Sequence, residues 1–198
     1  MRSVLNWKIT TLVFIVGTLL QACGDDGIIE LPTSDDYFQE DVEKITEYIA
    51  EKGYSNVDTT ESGVRYVIFE TGDGEPIEFN DIVSMDYVGM YLDDTVFDTS
   101  IESVAIVKDI LIESRTYEPT IFTHTASGWA IAPLFVSGFG EGTTAALKKM
   151  NVGGSARLMI PSPLGYGSNG RINADGSYAI LPNSVLVFDI YPVNVRKQ

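Results

Sequence analysis

The sequence has little of what several common kinds of protein site require. Its 198 residues include one cysteine and one histidine, which excludes an internal disulfide and a Cys/His zinc site within the chain. Basic side chains are also few, since 13 Lys and Arg stand against 28 Asp and Glu for a net charge of −15. A surface that acidic repels phosphate backbones, so we expect no nucleic-acid partner. The acidic clusters lack the spacing of a calcium loop, and we expect no metal ion or cofactor.

Long apolar runs are scarce as well, and none reaches the roughly 20 residues that span a bilayer. The most apolar stretch, Ile9–Leu20, has twelve residues, follows a short basic segment and ends three residues before Cys23. This pattern predicts a signal peptide over residues 1–22. Residues 20–23 (LQAC) resemble a bacterial lipobox, which implies cleavage before Cys23 and a lipid on its sulfur. An uncleaved anchor, or a secretory signal with an incidental cysteine, are the alternatives.

The lipobox resemblance predicts where the protein resides. We expect a lipoprotein of the cell envelope, held at the outer membrane through its lipid anchor alone. Both the periplasmic and the outward-facing placement stay open. Residues 23–35 combine Gly, Pro, Ser and acidic side chains with little periodicity, so they are expected to form a flexible tether.

An amphipathic helix is predicted over residues 36–53. Its stripe of Phe38, Val42, Ile45 and Ile49 has spacings of 4, 3 and 4, which place the four side chains on one helical face. Ser34 or Asp35 is the expected N-cap, and Gly53 the expected stop. We expect the stripe to pack on its own domain, although such a stripe could also bind a partner.

Residues 54–198 predict an α+β domain. Four runs rich in β-branched and aromatic residues indicate strands, at 64–69, 82–88, 155–160 and 185–190. A short helix is predicted over 140–150, with Ala145, Ala146, Leu147 and Met150 directed inward. Strands separated by turns, with one short helix, indicate an antiparallel sheet.

Several segments of this domain, taken in order, resemble the FKBP-type peptidyl-prolyl cis-trans isomerases. They are residues 83–89 (VSMDYVG), 96–100 (VFDTS), 135–139 (FVSGF), 147–154 (LKKMNVGG), 160–167 (IPSPLGYG) and 181–190 (LPNSVLVFDI). The resemblance extends from about residue 63 to residue 195. It implies a twisted antiparallel sheet wrapped around one short α-helix, with an apolar pocket between the two.

The resemblance also assigns site residues. It implies pocket walls formed by Tyr87, Phe97, Val136, Ile180 and Phe188, a floor formed by Phe139, and polar members Asp98 and Tyr166. The backbone N–H of Val136 would meet a substrate carbonyl, and Phe122 is a further candidate for an aromatic wall. Tyr166 and Asp98 are the implied catalytic residues, and proline-containing polypeptides the implied substrates. Packing alone would also explain the aromatic residues, because they alternate along predicted strands.

The predicted function is therefore isomerisation of Xaa-Pro bonds during the folding of exported proteins. This reaction breaks no covalent bond, so it requires no nucleophile, metal or general base. Two features favour an alternative, a catalytically weak binding or chaperone module. The floor position, usually tryptophan in the family, is Phe139, and an insert of about residues 99–134 is roughly twice the expected length. Part of this insert, residues 101–112, is predicted to be helical with Ser100 as a possible N-cap.

Three other features of the sequence have little bearing on the predicted function. Residues 165–170 (GYGSNG) match a GxGxxG phosphate loop, but no helical pattern follows, so a dinucleotide site is rejected. His124 has no evident partner in the sequence and is expected to be a surface or loop residue. Pro192, late in the closing strand, predicts a bulge or an early strand end.

Overall fold

A computed structural model describes residues 32–125, 128–131 and 136–198, and residues 32–198 form one compact unit. The predicted signal peptide, Cys23 and most of the predicted tether lie outside the described residues. So do residues 126–127 and 132–135, which belong to the insert and the family segment after it, and the side chain of His124. Within the described residues, no helix is long and apolar enough to cross a membrane.

The domain is built from three helices and ten strands among the described residues. The helices are α1 (Ser34–Lys52), α2 (Glu102–Val107) and α3 (Ser137–Leu147). The strands are β1 (Asp58–Thr59), β2 (Arg65–Glu70), β3 (Ile82–Met90), β4 (Val96–Thr99), β5 (Thr120–Thr125), β6 (Gly128–Ile131), β7 (Ser155–Ile160), β8 (Arg171–Ile172), β9 (Tyr178–Ile180) and β10 (Leu186–Arg196). The α+β class is confirmed.

The main sheet has the strand order β1-β2-β7-β10-β3-β5-β6, with β4 paired to β3. Every pairing among the described strands is antiparallel, and β8 and β9 form a separate two-stranded sheet. The insert therefore contributes β5 and β6, which extend the sheet beyond β3. The predicted irregularity at Pro192 is confirmed as a bulge, because the β10–β3 register shifts between Pro192 and Asn194.

Side-chain alternation gives the sheet two apolar faces, each covered by a different helix. One face and α3 form the α3-side core, which includes Val83, Met85, Tyr87, Phe139, Leu147, Leu158, Ile160, Leu186, Phe188 and Ile190. The opposite face and α1 form the α1-side core, which includes Ile45, Tyr48, Val67, Val88, Met90, Met159, Val185 and Val187. In β10, Leu186, Phe188 and Ile190 enter the first core and Val187 the second, and after the bulge the alternation shifts, so that Val195 enters the first core. The amphipathic stripe of α1 thus packs on its own domain, as predicted.

The start of α1 differs from the prediction. The helix begins at Ser34, so residues 34 and 35 are helical rather than part of a tether, and the N-cap is Thr33 instead of Ser34 or Asp35. Thr33 is favoured because it forms a reciprocal capping box. Its hydroxyl accepts the Asp36 N–H, and the Asp36 carboxylate accepts the Thr33 N–H at 2.8 Å. The helix ends at Gly53 in the left-handed conformation, as expected (φ 68°).

The other two helices are also displaced from their predicted bounds. Helix α3 spans Ser137–Leu147 instead of 140–150. After it, Lys149 and Met150 donate their N–H groups to carbonyls three residues earlier, which is the hydrogen-bond pattern of a tighter 3₁₀ turn. Helix α2 is shorter than the predicted 101–112, because Asp109 adopts a positive φ of 57°. Ser100 does not cap α2, since its hydroxyl accepts the Tyr87 N–H at 2.9 Å and donates to Asp86 at 2.7 Å.

A buried polar network lies between α1 and the sheet. Arg157 in β7 is paired with Asp189 in β10, and its guanidinium donates two hydrogen bonds of 2.6 Å to that carboxylate. The same guanidinium donates to the hydroxyls of Tyr48, at 2.8 Å, and Tyr54. Burial raises the pKa of Tyr48, so its hydroxyl keeps its proton and donates to Asp94. The network thus links α1 to two central strands.

We predict that Asp189→Asn destabilises the domain strongly, by about 3 kcal/mol, because it leaves the Arg157 charge buried without a counter-ion. The side chains of Arg157 and Asp189 are only 14% and 12% exposed. Urea unfolding measures the change. Asp58→Asn is the matched control, since it breaks the exposed Asp58–Lys149 pair and should leave the midpoint almost unchanged. Equal shifts for the two variants would contradict the prediction.

Candidate active site

Four aromatic rings meet on the α3 side of the sheet and form what we call the aromatic cluster. Its members are Tyr87 from β3, Phe97 from β4, Phe139 from α3 and Phe188 from β10. Phe188 is central, with ring centroids 4.9 Å from Phe139, 5.7 Å from Phe97 and 6.2 Å from Tyr87. The edge-on and tilted geometries are those that aromatic quadrupoles favour.

The cluster depends on a glycine. Gly89 lies opposite Phe188 on β10 and opposite Asp98 on β4. A Cβ atom at Gly89 would lie 2.8 Å from ring atoms of both Phe188 and Phe97, closer than real side chains approach. Because Gly89 has no side chain, the rings of Phe188 and Phe97 have room to meet beside it. Tyr87 lies two residues before Gly89, and Tyr91, which directly follows β3, lies two residues after it; both pack in the α3-side core, and the ring of Tyr91 is 5.1 Å from that of Phe97.

One end of the aromatic cluster is polar, and we call Asp98, Arg115 and the Tyr87 hydroxyl the polar corner. Tyr87 donates to Asp98 at 2.9 Å, and Arg115 from the insert donates to Asp98 and, at 3.1 Å, to the Tyr87 oxygen. Burial raises the pKa of Tyr87, and the Asp98 charge raises it further although Arg115 opposes this. Tyr87 consequently remains a hydrogen-bond donor, and the insert is attached to the candidate site through Arg115.

Tyr166 follows a single 3₁₀ turn, Ser162–Leu164, and its side chain is half-buried against the α3-side core. Burial raises the pKa of its hydroxyl, whereas the neighbouring Arg171 lowers it and the Asp98 charge adds a small increase. Its hydroxyl therefore stays protonated. The following Gly167 has a φ of 55° and accepts the Asn183 N–H at 2.8 Å, which fixes the loop that holds Tyr166.

The remaining predicted site residues belong to the same α3-side core. Val136 is the N-cap of α3, and its N–H precedes the helical hydrogen-bond ladder. Its side chain and the buried Ile180 of β9 both pack against the α3-side core. The eight predicted residues thus share one side of the sheet: Tyr87, Phe97, Phe139 and Phe188 form the aromatic cluster, Asp98 binds Tyr87, and Val136, Tyr166 and Ile180 belong to the surrounding core. Phe122 is fully buried within the core.

Three neighbours of the cluster were not predicted from the sequence. Gly89 and Tyr91 carry a signal that could have found them, because they continue the two-residue alternation that begins at Tyr87. No sequence signal identifies Arg115, because it lies in the irregular part of the insert, 17 residues after Asp98. Among the described residues, no group of three or more His, Cys, Asp or Glu side chains is arranged to hold a metal ion.

Similarity to known proteins indicates one family. The family model of FKBP-type peptidyl-prolyl cis-trans isomerases matches residues 73–191. The chain is 32% identical over 155 residues to the chloroplastic peptidyl-prolyl cis-trans isomerase FKBP16-3 of Arabidopsis thaliana, covering 76% of this chain and 58% of that protein. It is 30% identical over 149 residues to the isomerase FkpA of Escherichia coli K12, covering 75% of this chain and 43% of that protein.

The crystal structure of AtFKBP13 has the same fold, with a TM-score of 0.51, 24% identity and coverage of 72% of this chain and 100% of that one. The chain spans about half the length of the curated relatives it matches. The matched region contains every member of the aromatic cluster, the polar corner and Tyr166. On these grounds the chain belongs to the family of FKBP-type peptidyl-prolyl cis-trans isomerases.

Proposed function

We propose that this domain accelerates the cis–trans isomerisation of Xaa-Pro bonds in polypeptides. The observation that carries the proposal is the aromatic cluster with Asp98 and Tyr166 at its border, assembled within the region that the family model matches. Tyr87, Phe139 and Phe188 are almost fully buried, and the cluster is apolar apart from the polar side chains at its border. It suits a proline ring inserted among the aromatic side chains, with the amide carbonyl directed to hydrogen-bond donors.

The proposed mechanism uses the loss of amide resonance. Rotation about the peptide bond crosses a barrier of about 18–20 kcal/mol, and the twisted amide is less charge-separated than the planar one. A dry aromatic surface would favour the twisted form, because it solvates the planar dipole less well than water does. Phe139 and Phe188 would contact the proline ring, and Phe97 and Tyr87 would flank it.

The polar groups would orient the substrate. We assign the Val136 N–H and the Tyr166 hydroxyl as donors to carbonyl oxygens around the prolyl bond. Asp98 would act through the Tyr87 hydroxyl, which it holds at 2.9 Å, and so keep the border of the site in place. Each such hydrogen bond contributes on the order of 1 kcal/mol, which corresponds to a several-fold change in rate.

A binding or chaperone role is the second candidate, and the surface of the insert favours it. Ile106, Val107, Leu111 and Ile112 are all exposed, and Val107 is 80% accessible. Exposed apolar side chains in one short segment are a common feature of surfaces that bind other chains. In this role the domain would hold unfolded polypeptides and isomerise them slowly, with the smaller Phe139 ring at the floor of the site.

We predict that Phe188→Leu lowers kcat/KM for short Xaa-Pro peptides about tenfold, because it removes the ring that contacts three others. Tyr166→Phe should lower it about threefold through loss of one hydrogen bond. Cis-to-trans relaxation of peptides differing in the residue before proline is the measurement. The matched controls are Phe69→Leu, at an exposed ring, and Tyr178→Phe, at an exposed hydroxyl of β9.

These controls separate the two candidate functions. If the folded wild type accelerates isomerisation and only the site variants lose activity, isomerase function is supported. If the folded wild type accelerates no peptide of the panel, the isomerase proposal fails and the binding module remains.

We predict that Arg115→Met lowers kcat/KM about fivefold, since it removes the cation that binds both Asp98 and Tyr87. The same assay measures the effect. Lys108→Met, at an exposed cation of the same insert, is the control for the change in net charge and should leave kcat/KM unchanged. An Arg115→Met variant with wild-type kcat/KM would show that the polar corner does not depend on the insert.

We also propose that the protein is a lipoprotein of the cell envelope, anchored through Cys23 and acting on exported polypeptides. The support is the sequence pattern of residues 1–23, in which an apolar run precedes an isolated cysteine. The wild type should incorporate a labelled fatty acid and sediment with membranes, and Cys23→Ala should do neither. A wild type that takes up no label would contradict the proposal.

A further inference from the structure

A buried carboxylate connects α1 to the turn that precedes Tyr166. Asp41, in the second turn of α1, is only 1% exposed. Its Oδ2 accepts the backbone N–H of Ser162 at 2.7 Å, and Ser162 is itself fully buried. Helix α1 precedes residue 73, so it lies outside the region that the family model matches. This hydrogen bond therefore links a segment outside the family match to the candidate site.

Packing alone does not explain an aspartate at this position. Removing a carboxylate from water is costly unless charged or polar partners compensate it. Lys44 approaches Oδ1 at 3.4 Å, but it is partly exposed and makes a shorter contact of 2.9 Å with Glu40. The Ser162 N–H is thus the close, buried partner of Asp41. An apolar residue here would complete the stripe of α1 at lower cost but would leave that N–H without its acceptor.

The turn that Asp41 holds touches two parts of the site. Within residues 162–164, Leu164 accepts a hydrogen bond of 3.2 Å from the hydroxyl of Ser137, the first residue of α3. A Cβ atom at the next residue, Gly138, would lie 3.1 Å from the Cβ of Leu164, so the turn and α3 are in direct contact. After Leu164 the chain continues through Gly165 to Tyr166. The turn therefore sets the spacing between the start of α3 and Tyr166.

We infer that Asp41 is a positioning residue for the isomerase site: by holding Ser162, its carboxylate fixes Tyr166 relative to the start of α3. The inference rests on the proposed function. Val136 immediately precedes α3, so the two proposed donors, the Val136 N–H and the Tyr166 hydroxyl, are joined through this turn. A shift of the turn would misalign both donors on one substrate, and small misalignments of this kind reduce rates strongly.

Three variants of the full chain, assayed in detergent solution, test the inference. Asp41→Leu removes the acceptor but keeps the same branched arrangement of heavy atoms. Asp41→Asn retains an oxygen acceptor without the charge, and Glu40→Gln changes the neighbouring exposed carboxylate that shares Lys44. We expect kcat/KM to fall about tenfold for Asp41→Leu, because two donor hydrogen bonds to the substrate, each worth about threefold, would be misaligned. We expect a decrease of at most about threefold for Asp41→Asn, and none for Glu40→Gln.

A double-mutant cycle with Tyr166→Phe distinguishes positioning from general stability. Because Asp41 is inferred to align both the Tyr166 hydroxyl and the Val136 N–H, Asp41→Leu should lower kcat/KM only about threefold in the Tyr166→Phe background, instead of about tenfold in the wild type. A folded Asp41→Leu variant with wild-type kcat/KM would overturn the inference. So would a loss that is unchanged in the Tyr166→Phe background, because the effect would then not pass through Tyr166.

Two further measurements keep the test decisive. If Asp41→Leu does not fold, Asp41→Glu replaces it and must meet the same criteria, since it moves the acceptor by one methylene and keeps the charge. If the folded wild type shows no isomerase activity, the proposed function fails. The positioning role is then judged by peptide binding, followed through the amide resonances of Val136 and Tyr166. Weaker binding by Asp41→Leu but not by Glu40→Gln supports the role, and equal binding overturns it.

Discussion

The pairing of β10 with both β7 and β3 is the constraint on which the rest of the structure depends. This strand lies between its two neighbours in the sheet, and its side chains alternate between the two cores. A shift of one residue in its register would turn Phe188 away from the aromatic cluster and Asp189 away from Arg157. The same pairing therefore determines both the candidate site on one face and the attachment of α1 on the other.

The insert is part of the domain in two different ways. Its strands β5 and β6 extend the sheet beyond β3, and Ile101, Val104 and Ile110 pack against the α1-side core. Its irregular segment returns to the opposite side, where Arg115 reaches Asp98. Long insertions cost little closure entropy, so such a segment can be accommodated if it finds contacts of its own. Here those contacts include the border of the candidate site.

Much of the fold could be predicted from the sequence because its signals are local and repeated. The run at 155–160 and the alternation around Tyr87 and Phe188 indicate strands, and the stripe that contains Ile45 indicates a helix. The segments that resemble the family then predict six apolar and two polar residues around one pocket, and in the structure these residues share the α3 side of the sheet. Those inferences depend on the spacing of apolar residues and on the order of the family-like segments, and both can be read directly from the sequence.

Other features could not be predicted, for identifiable physical reasons. Thr33, Ser34 and Asp35 are all good N-cap residues, and the contact with Asp36 decides among them. Arg115 lies in a segment without periodicity, so its partner is set by tertiary contacts alone. Asp41 adjoins the apolar stripe of α1, four residues before Ile45, but nothing in the sequence names a partner for its carboxylate, and only the packing of α1 against the turn at 162–164 reveals that it is buried.

The position of α1 on the second face of the sheet has a consequence for how the protein can be divided. The family model begins at residue 73, after α1, β1 and β2. A fragment cut at that boundary would lose a strand that pairs with β7 and would leave Met159 and Val187, both fully buried in the intact domain, open to water. The segment that identifies the family is thus smaller than the segment that folds. Protein-engineering work that exchanges this domain between relatives would have to transfer α1, β1 and β2 together with the matched region.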